Sequence, residues 1–162
     1  MTARSFHDFS AFTIDGERRS MSEYRGRVVL VVNTATECAF TPQLAGLQEL
    51  HEQFSPHGFT VLGFPSDQFR QNPEDDAATK TVCTSDWDVT FPLFSLVDVN
   101  GPTAHPLWTW MCAQKAGVIG GRIAWNFTKF LIDGEGRVLR RYAPPVPPAR
   151  IAHRLRAELG LL

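Results

Sequence analysis

Val28-Val-Leu-Val-Val-Asn-Thr-Ala-Thr-Glu-Cys-Ala-Phe-Thr-Pro42 decides how the rest of the chain is read. An unbroken apolar, β-branched run predicts a strand buried on both faces, as in a parallel sheet covered by helices. The run breaks into small polar residues and meets Thr41-Pro42, an N-cap and first-turn pair. These open a helix to about Phe54, with Leu44, Leu47 and Phe54 near one face. Ser55-Pro-His-Gly58 ends that helix, and Phe59-Thr-Val-Leu-Gly-Phe64 reads as a second buried strand. Strand, helix and strand in close succession make a βαβ unit, whose ligand-facing edge lies beyond the carboxyl ends of its strands. Cys38 and the Pro65-Ser-Asp-Gln68 loop both fall on that edge.

A cysteine is a nucleophile only as its thiolate. The loop before a helix turns unpaired backbone N–H groups toward a sulfur placed there and so favours the anion. The same position also suits an inert cysteine that fills space at a strand end. On this stretch alone both readings stand.

Outward from this unit, Phe9 to Ile14 alternates loosely and meets Asp15-Gly16, which predicts a short edge hairpin. Asn72 as N-cap, Pro73 at the first helical position and Glu74-Asp-Asp76 predict a helix over 73–83 with Cys83 near its end. Phe91 to Val99 reads as extended, stopped by Asn100-Gly101-Pro102. Pro106 to Gln114 has Leu107, Trp110 and Met111 at helical spacing, and Gly117 to Gly121 is a loop. Ile123 to Ile132 and Arg137 to Tyr142 form a hairpin through Asp133-Gly-Glu-Gly136. After two proline pairs, Ile151, Leu155 and Leu159 line a closing helix. The pattern is an α/β fold of thioredoxin-like type: a central mixed sheet, helices on both faces and an N-terminal β-hairpin extension. Fold alone assigns no activity.

With 162 residues the chain makes a single domain. A net charge of -1 provides no basic field for nucleic acid or anionic lipid. Three cysteines do not make a disulfide framework; they suit a reducing compartment with separate jobs for separate thiols. The first ten residues have no apolar signal-peptide core, and the longest aliphatic run is Val28 to Val32, which points to a cytoplasmic enzyme. The five histidines are scattered, and His105 has no partner at metal-ligand spacing, so no metal site and no cofactor are expected.

Three separated stretches closely resemble the glutathione peroxidase family: Asn33-Thr-Ala-Thr-Glu-Cys-Ala-Phe-Thr41, Leu62-Gly-Phe-Pro-Ser-Asp-Gln-Phe69 and Trp125-Asn-Phe-Thr-Lys-Phe-Leu-Ile132. Thr90-Phe-Pro-Leu-Phe94 and Asp98-Val-Asn-Gly-Pro102 add to the match, which runs from about Gly26 to Ile151. The resemblance implies a catalytic group of Cys38, Gln68, Trp125 and Asn126, with Cys38 standing where some members carry selenocysteine. Those residue types suit the chemistry. The Trp125 indole can only donate a hydrogen bond, and the amides of Gln68 and Asn126 donate without bringing charge. Attack on a peroxide would leave Cys38 as a sulfenic acid, which condenses with a second thiol. The resemblance makes Cys83 that resolving thiol and implies a two-cysteine enzyme recycled by thioredoxin. The short stretch Gly117 to Ala124, without the insertion of tetrameric members, implies a monomer. Because a disulfide needs its Cα atoms within about 7 Å, the 73–88 segment is expected to unwind partly during each cycle.

The chain departs from the family pattern at Ser66, Asp67, Arg70-Gln71, Ala39 and Glu37, the last expected to face solvent. Cys112 has no matching role and reads as core packing. Two other thiol enzymes of this fold class fail on residue identity. Thr41 stands where a C-x-x-C pair needs its second cysteine. Val31 and Ala35 stand where a peroxiredoxin has proline and a hydroxyl residue. A peroxide sensor that passes oxidation to a partner protein and a glutathione-dependent peroxidase remain as alternatives.

Overall fold

The computed structural model describes residues 5–117 and 120–162. The apolar run is strand β3 (Val28–Thr34), buried at every residue. The hairpin β1 (Ser10–Phe12) and β2 (Arg18–Ser20) forms a separate antiparallel pair turning through Gly16. Helix α1 (Gln43–Phe54) leads from β3 into β4 (Phe59–Pro65), which pairs parallel with β3, Thr34 opposite Pro65. On its other side β3 pairs antiparallel with β5 (Lys129–Ile132), which pairs in turn with β6 (Val138–Tyr142), giving the order β4-β3-β5-β6.

Alternate strand residues feed two cores, as the two-residue period of a pleated strand requires. Leu30, Val32, Val61 and Leu131 pack with Leu44, Leu47 and Phe54 of α1 and with Ile151 and Leu155 near the carboxyl end. Val29, Val31, Leu62 and Phe130 pack with Leu107, Trp108 and Met111. The mixed sheet, helices on both faces and separate hairpin agree with the α/β reading. No helix among the described residues is long and apolar enough to cross a membrane.

Several boundaries differ from expectation. Helix α2 is Asp76–Trp87, not 73–83, and its N-cap is Asp75, whose carboxylate accepts the Ala78 N–H at 2.9 Å. Asn72 cannot cap it because its amide is buried and donates to Thr79 Oγ1, while its own N–H donates to Asp67 Oδ1. Cys83 therefore lies a full turn inside the helix. Thr41 does not cap α1 either, since its hydroxyl turns back to Cys38 N and Ala35 O. The 91–99 stretch makes only single bridges, Leu93 with Gly63 and Phe94 with Thr13 among them. Proline at 92 lacks the N–H for a ladder, and its carbonyl accepts from Gly63. β5 begins at Lys129 rather than Ile123, because residues 125–128 form a turn. The closing segment splits into a 3-10 turn, Pro148–Ile151, and a short helix that follows it. Helix α3 is Pro106–Gln114, as read, and α4 is Ala152–Glu158. In the expected 117–121 loop, Gly117 bridges Gly120, and 118–119 lie outside the described residues.

One core position holds the wrong kind of side chain. Lys129 is fully buried, and desolvation pushes its pKa down from 10.5 to about 7. The unfolded chain therefore holds a proton that the folded chain has lost across that window, so stability must rise with pH from about 7 to 10.5. Denaturant midpoints measured across this range are expected to show that rise, and Lys129→Met is expected to flatten it.

Candidate active site

Cys38 sits just beyond the carboxyl end of β3, 7% exposed, at the head of the turn that enters α1. Its N–H donates to Thr41 Oγ1 at 2.9 Å, and that hydroxyl donates to Ala35 O at 2.8 Å, which fixes the turn from inside. The Cys38 carbonyl accepts the Thr41 N–H. Its sulfur accepts the Phe40 N–H at 3.4 Å. A backbone donor thus faces the sulfur, as expected of the start of a helix. Glu37 is exposed, its N–H donating to Gln71 O, and does not crowd the thiol with a buried carboxylate.

Two further loops reach the same edge of the sheet. Gln68 follows β4, the parallel neighbour of β3, while Trp125 and Asn126 precede β5, the antiparallel neighbour. Asn33 ties the last of these to β3. Its amide donates to Trp125 O at 3.3 Å and accepts from Thr128 N at 2.9 Å, and its carbonyl accepts the Phe127 N–H at 2.7 Å. Asn100 ties the other side. Gln68 Oε1 accepts the N–H groups of Val99 and Asn100, and its Nε2 donates to Asn100 O at 2.8 Å. Asn100 in turn exchanges two hydrogen bonds with the Ile123 backbone. The Phe69 ring lies against the Trp125 indole, centroids 5.3 Å apart.

Gln68 is thus held by loop backbone, with one Nε2 hydrogen left to donate elsewhere. Trp125 is 37% exposed. Asn126 is the opposite case: fully buried, with neither Oδ1 nor Nδ2 hydrogen-bonded. A buried amide without partners costs roughly 1–3 kcal/mol. The next residue, Phe127, has φ +65, a left-handed conformation that a bulky side chain rarely takes. Arg70, in the loop that carries Gln68, is also left-handed at φ +59, a conformation more often taken by glycine.

Sequence reading gave no role to Asn33 or Asn100. Asn33 was detectable as the amide that directly follows the apolar run Val28–Val32; Asn100 looked like an ordinary turn residue.

Cys83 is 1% exposed and belongs to the same apolar cluster as Cys38 and Phe127. Burial, then the carboxylates of Glu74 and Asp86, push its thiol up to about 11. All three cysteines are free. Cys112 is half-buried against the second core; burial raises its thiol and the Arg141 guanidinium partly offsets this. Among the described residues no group of His, Cys, Asp and Glu could hold a metal ion.

Replacing the unpartnered Asn126 amide with an apolar side chain of similar size removes a buried polar group that bonds to nothing. Asn126→Leu is expected to hold or raise the urea midpoint while peroxide reduction falls at least tenfold; a clear drop in stability would mean that the amide has a structural partner.

Comparison with known proteins agrees with this geometry. Residues 6–112 match the family model described as glutathione peroxidase. The chain is 48% identical over 148 residues to the glutathione peroxidase homolog BsaA of Halalkalibacterium halodurans, spanning 91% of this chain and 94% of that one. It is 46% identical to the hydroperoxy fatty acid reductase gpx1 of Synechocystis sp., spanning 94% and 96%. Both alignments are long enough to extend past the family-model match. The crystal structure of T. cruzi GPX1 superposes with a TM-score of 0.81 at 32% identity, covering 97% of each chain. A thioredoxin-family thiol:disulfide interchange protein from Chlorobium tepidum superposes at 0.70 with 23% identity, which speaks for the thioredoxin-like fold alone. With a family model covering most of its length and relatives near half identical over more than nine-tenths of it, the chain belongs to the glutathione peroxidase family.

Proposed function

We propose that this peroxidase reduces hydrogen peroxide and organic hydroperoxides through Cys38, with Gln68, Trp125 and Asn126 as its donors. The observation that carries the reading is the buried, unpartnered amide of Asn126 on the sheet edge where Cys38 presents its sulfur. The Cys38 thiolate attacks one peroxide oxygen, an S–O bond forms and the O–O bond breaks. Cys38 is oxidised to the sulfenic acid, and the peroxide leaves as water or an alcohol once its departing oxygen takes a proton. Neutral donors stabilise the charge that develops on that oxygen. The name of the Synechocystis relative supports extending the substrates to fatty-acid hydroperoxides.

In the second step Cys83 attacks the sulfenic sulfur, an S–S bond forms and water leaves. As packed, Cys83 is a poor nucleophile, because burial keeps its thiol protonated. Resolution therefore requires α2 to loosen. Apart from Cys83 and Trp87, which pack on the apolar cluster, its attachments are polar: the Asp75 cap, the bonds of Asp76 to Ser95 and Leu96, Asn72 to Thr79, and the exposed Lys80–Asp15 ion pair. Thioredoxin would then reduce the disulfide in a reducing, cytoplasmic setting, with the enzyme acting as a monomer. The burial of Cys83 also favours a second reading. A slow resolving step would leave the Cys38 sulfenic acid available to a partner's thiol, glutathione included, and the protein would relay oxidation.

Steady-state turnover separates these readings. Cys38→Ser is expected to abolish peroxide consumption. Cys83→Ser is expected to lose the thioredoxin-supported rate and keep any glutathione-supported rate. Slow turnover with thioredoxin, together with a mixed disulfide trapped on one specific protein, would favour the relay. Hydrogen exchange is expected to show segment 73–88 less protected in the oxidised than in the reduced form; equal protection would rule out the loosening of α2.

A further inference from the structure

Among the described residues Lys129 is the one lysine or arginine that is buried, a costly placement that the peroxide chemistry does not use. Its Nζ lies 2.7 Å from Val146 O, 3.0 Å from Pro144 O and 3.5 Å from Ala143 O. This segment follows the end of β6 and contains Pro144, Pro145, Pro147 and Pro148, so four of its residues have no N–H to continue a ladder. Ala143 O accepts the Val146 N–H at 3.0 Å within the segment, while Pro144 O and Val146 O take their donors from side chains, and Lys129 reaches both.

One of those carbonyls is shared. Pro144 O also accepts from Gln43 Nε2 at 2.7 Å. Gln43 is the first residue of α1, and its N–H donates to Phe40 O within the turn that begins at Cys38. Lys129 is the first residue of β5, directly after the Asn126-Phe127-Thr128 turn. The Pro144 carbonyl is thus a node between the turn that carries the sulfur and the turn that carries the unpartnered amide.

We propose that Lys129 is a positioning residue for peroxide reduction. Through the Pro144 carbonyl it shares with Gln43, it sets where the Cys38 turn lies relative to Asn126. The proposal rests on the reading of Cys38 as the attacking thiol. Misplacing a reacting atom by a fraction of an ångström is enough to slow a step that depends on in-line approach and on donors already in place. A purely structural lysine would instead affect stability and leave the chemistry of the folded molecules unchanged.

The test is the second-order rate constant for oxidation of the reduced protein by hydrogen peroxide. It is measured per folded molecule, at a temperature where circular dichroism shows each variant fully folded. Lys129→Met is expected to lower the constant about tenfold, Gln43→Leu to lower it less, and the double variant to lose no more than Lys129→Met. Alkylation of Cys38 by iodoacetamide, followed by peptide mass spectrometry, is expected to change little, because that reaction does not use the donors around the peroxide. A normal peroxide rate in Lys129→Met beside a lowered melting temperature would overturn the proposal, as would losses that multiply in the double variant. If Lys129→Met does not fold, Gln43→Leu decides, and an unchanged peroxide rate in it overturns the shared-node account. Cys38→Ser, run beside them, separates the two failures: a serine variant that still consumes peroxide removes the reading of the site itself.

Discussion

The structure depends on what Asn33 does where the apolar run Val28–Val32 of β3 gives way to polar residues. Its side chain and backbone together hold Trp125, Phe127 and Thr128 against β3, so the antiparallel neighbour arrives with its turn already shaped. A buried amide bonded on both its oxygen and its nitrogen is favourable as a unit, and truncating it would strand the Thr128 N–H and leave the Trp125 carbonyl to the Thr128 hydroxyl alone. The brace also explains why β5 is shorter than its hydrophobic pattern. Residues 125–128 are drawn off into the turn before a ladder can start.

Unfavourable terms gather at this one edge of the sheet. Asn126 has no partner, Phe127 has a left-handed backbone, and Lys129 is buried far from water. Two apolar cores on opposite faces of the sheet support these costs, and the elements of those cores are regular. Natural folds concentrate such departures where a ligand or a reaction uses them. The contrast with Gln68 is instructive. Its amide is almost fully engaged with the 99–100 backbone, so it is rigidly placed, whereas the Asn126 amide is placed by burial alone.

The βαβ unit was legible because two runs of β-branched residues flank a helix-spaced segment, and periodicity survives in any tertiary setting. Pro106 to Gln114 was legible for the same reason. Boundaries set by long-range bonds were not. Asn72 reads as a good N-cap until Thr79 and Asp67 claim it, and Thr41 reads as one until Ala35 and Cys38 do. The candidate site residues came from resemblance across three distant motifs. The ties among their loops, made by Asn33, Asn100 and the Lys129–Pro144–Gln43 node, required coordinates, because each joins residues far apart in the chain.

The burial of Cys83 makes the first oxidation and its resolution separable events, with the second gated by α2. The most direct measurement of the central claim isolates the first. Reduced Cys83→Ser protein is exposed to an equimolar amount of hydrogen peroxide in the presence of dimedone, and its peptides are analysed by mass spectrometry. The account predicts the adduct on the Cys38 peptide, with peroxide consumed in step with it. Peroxide consumed with the adduct on Cys112, or with Cys38 left unmodified, would contradict it.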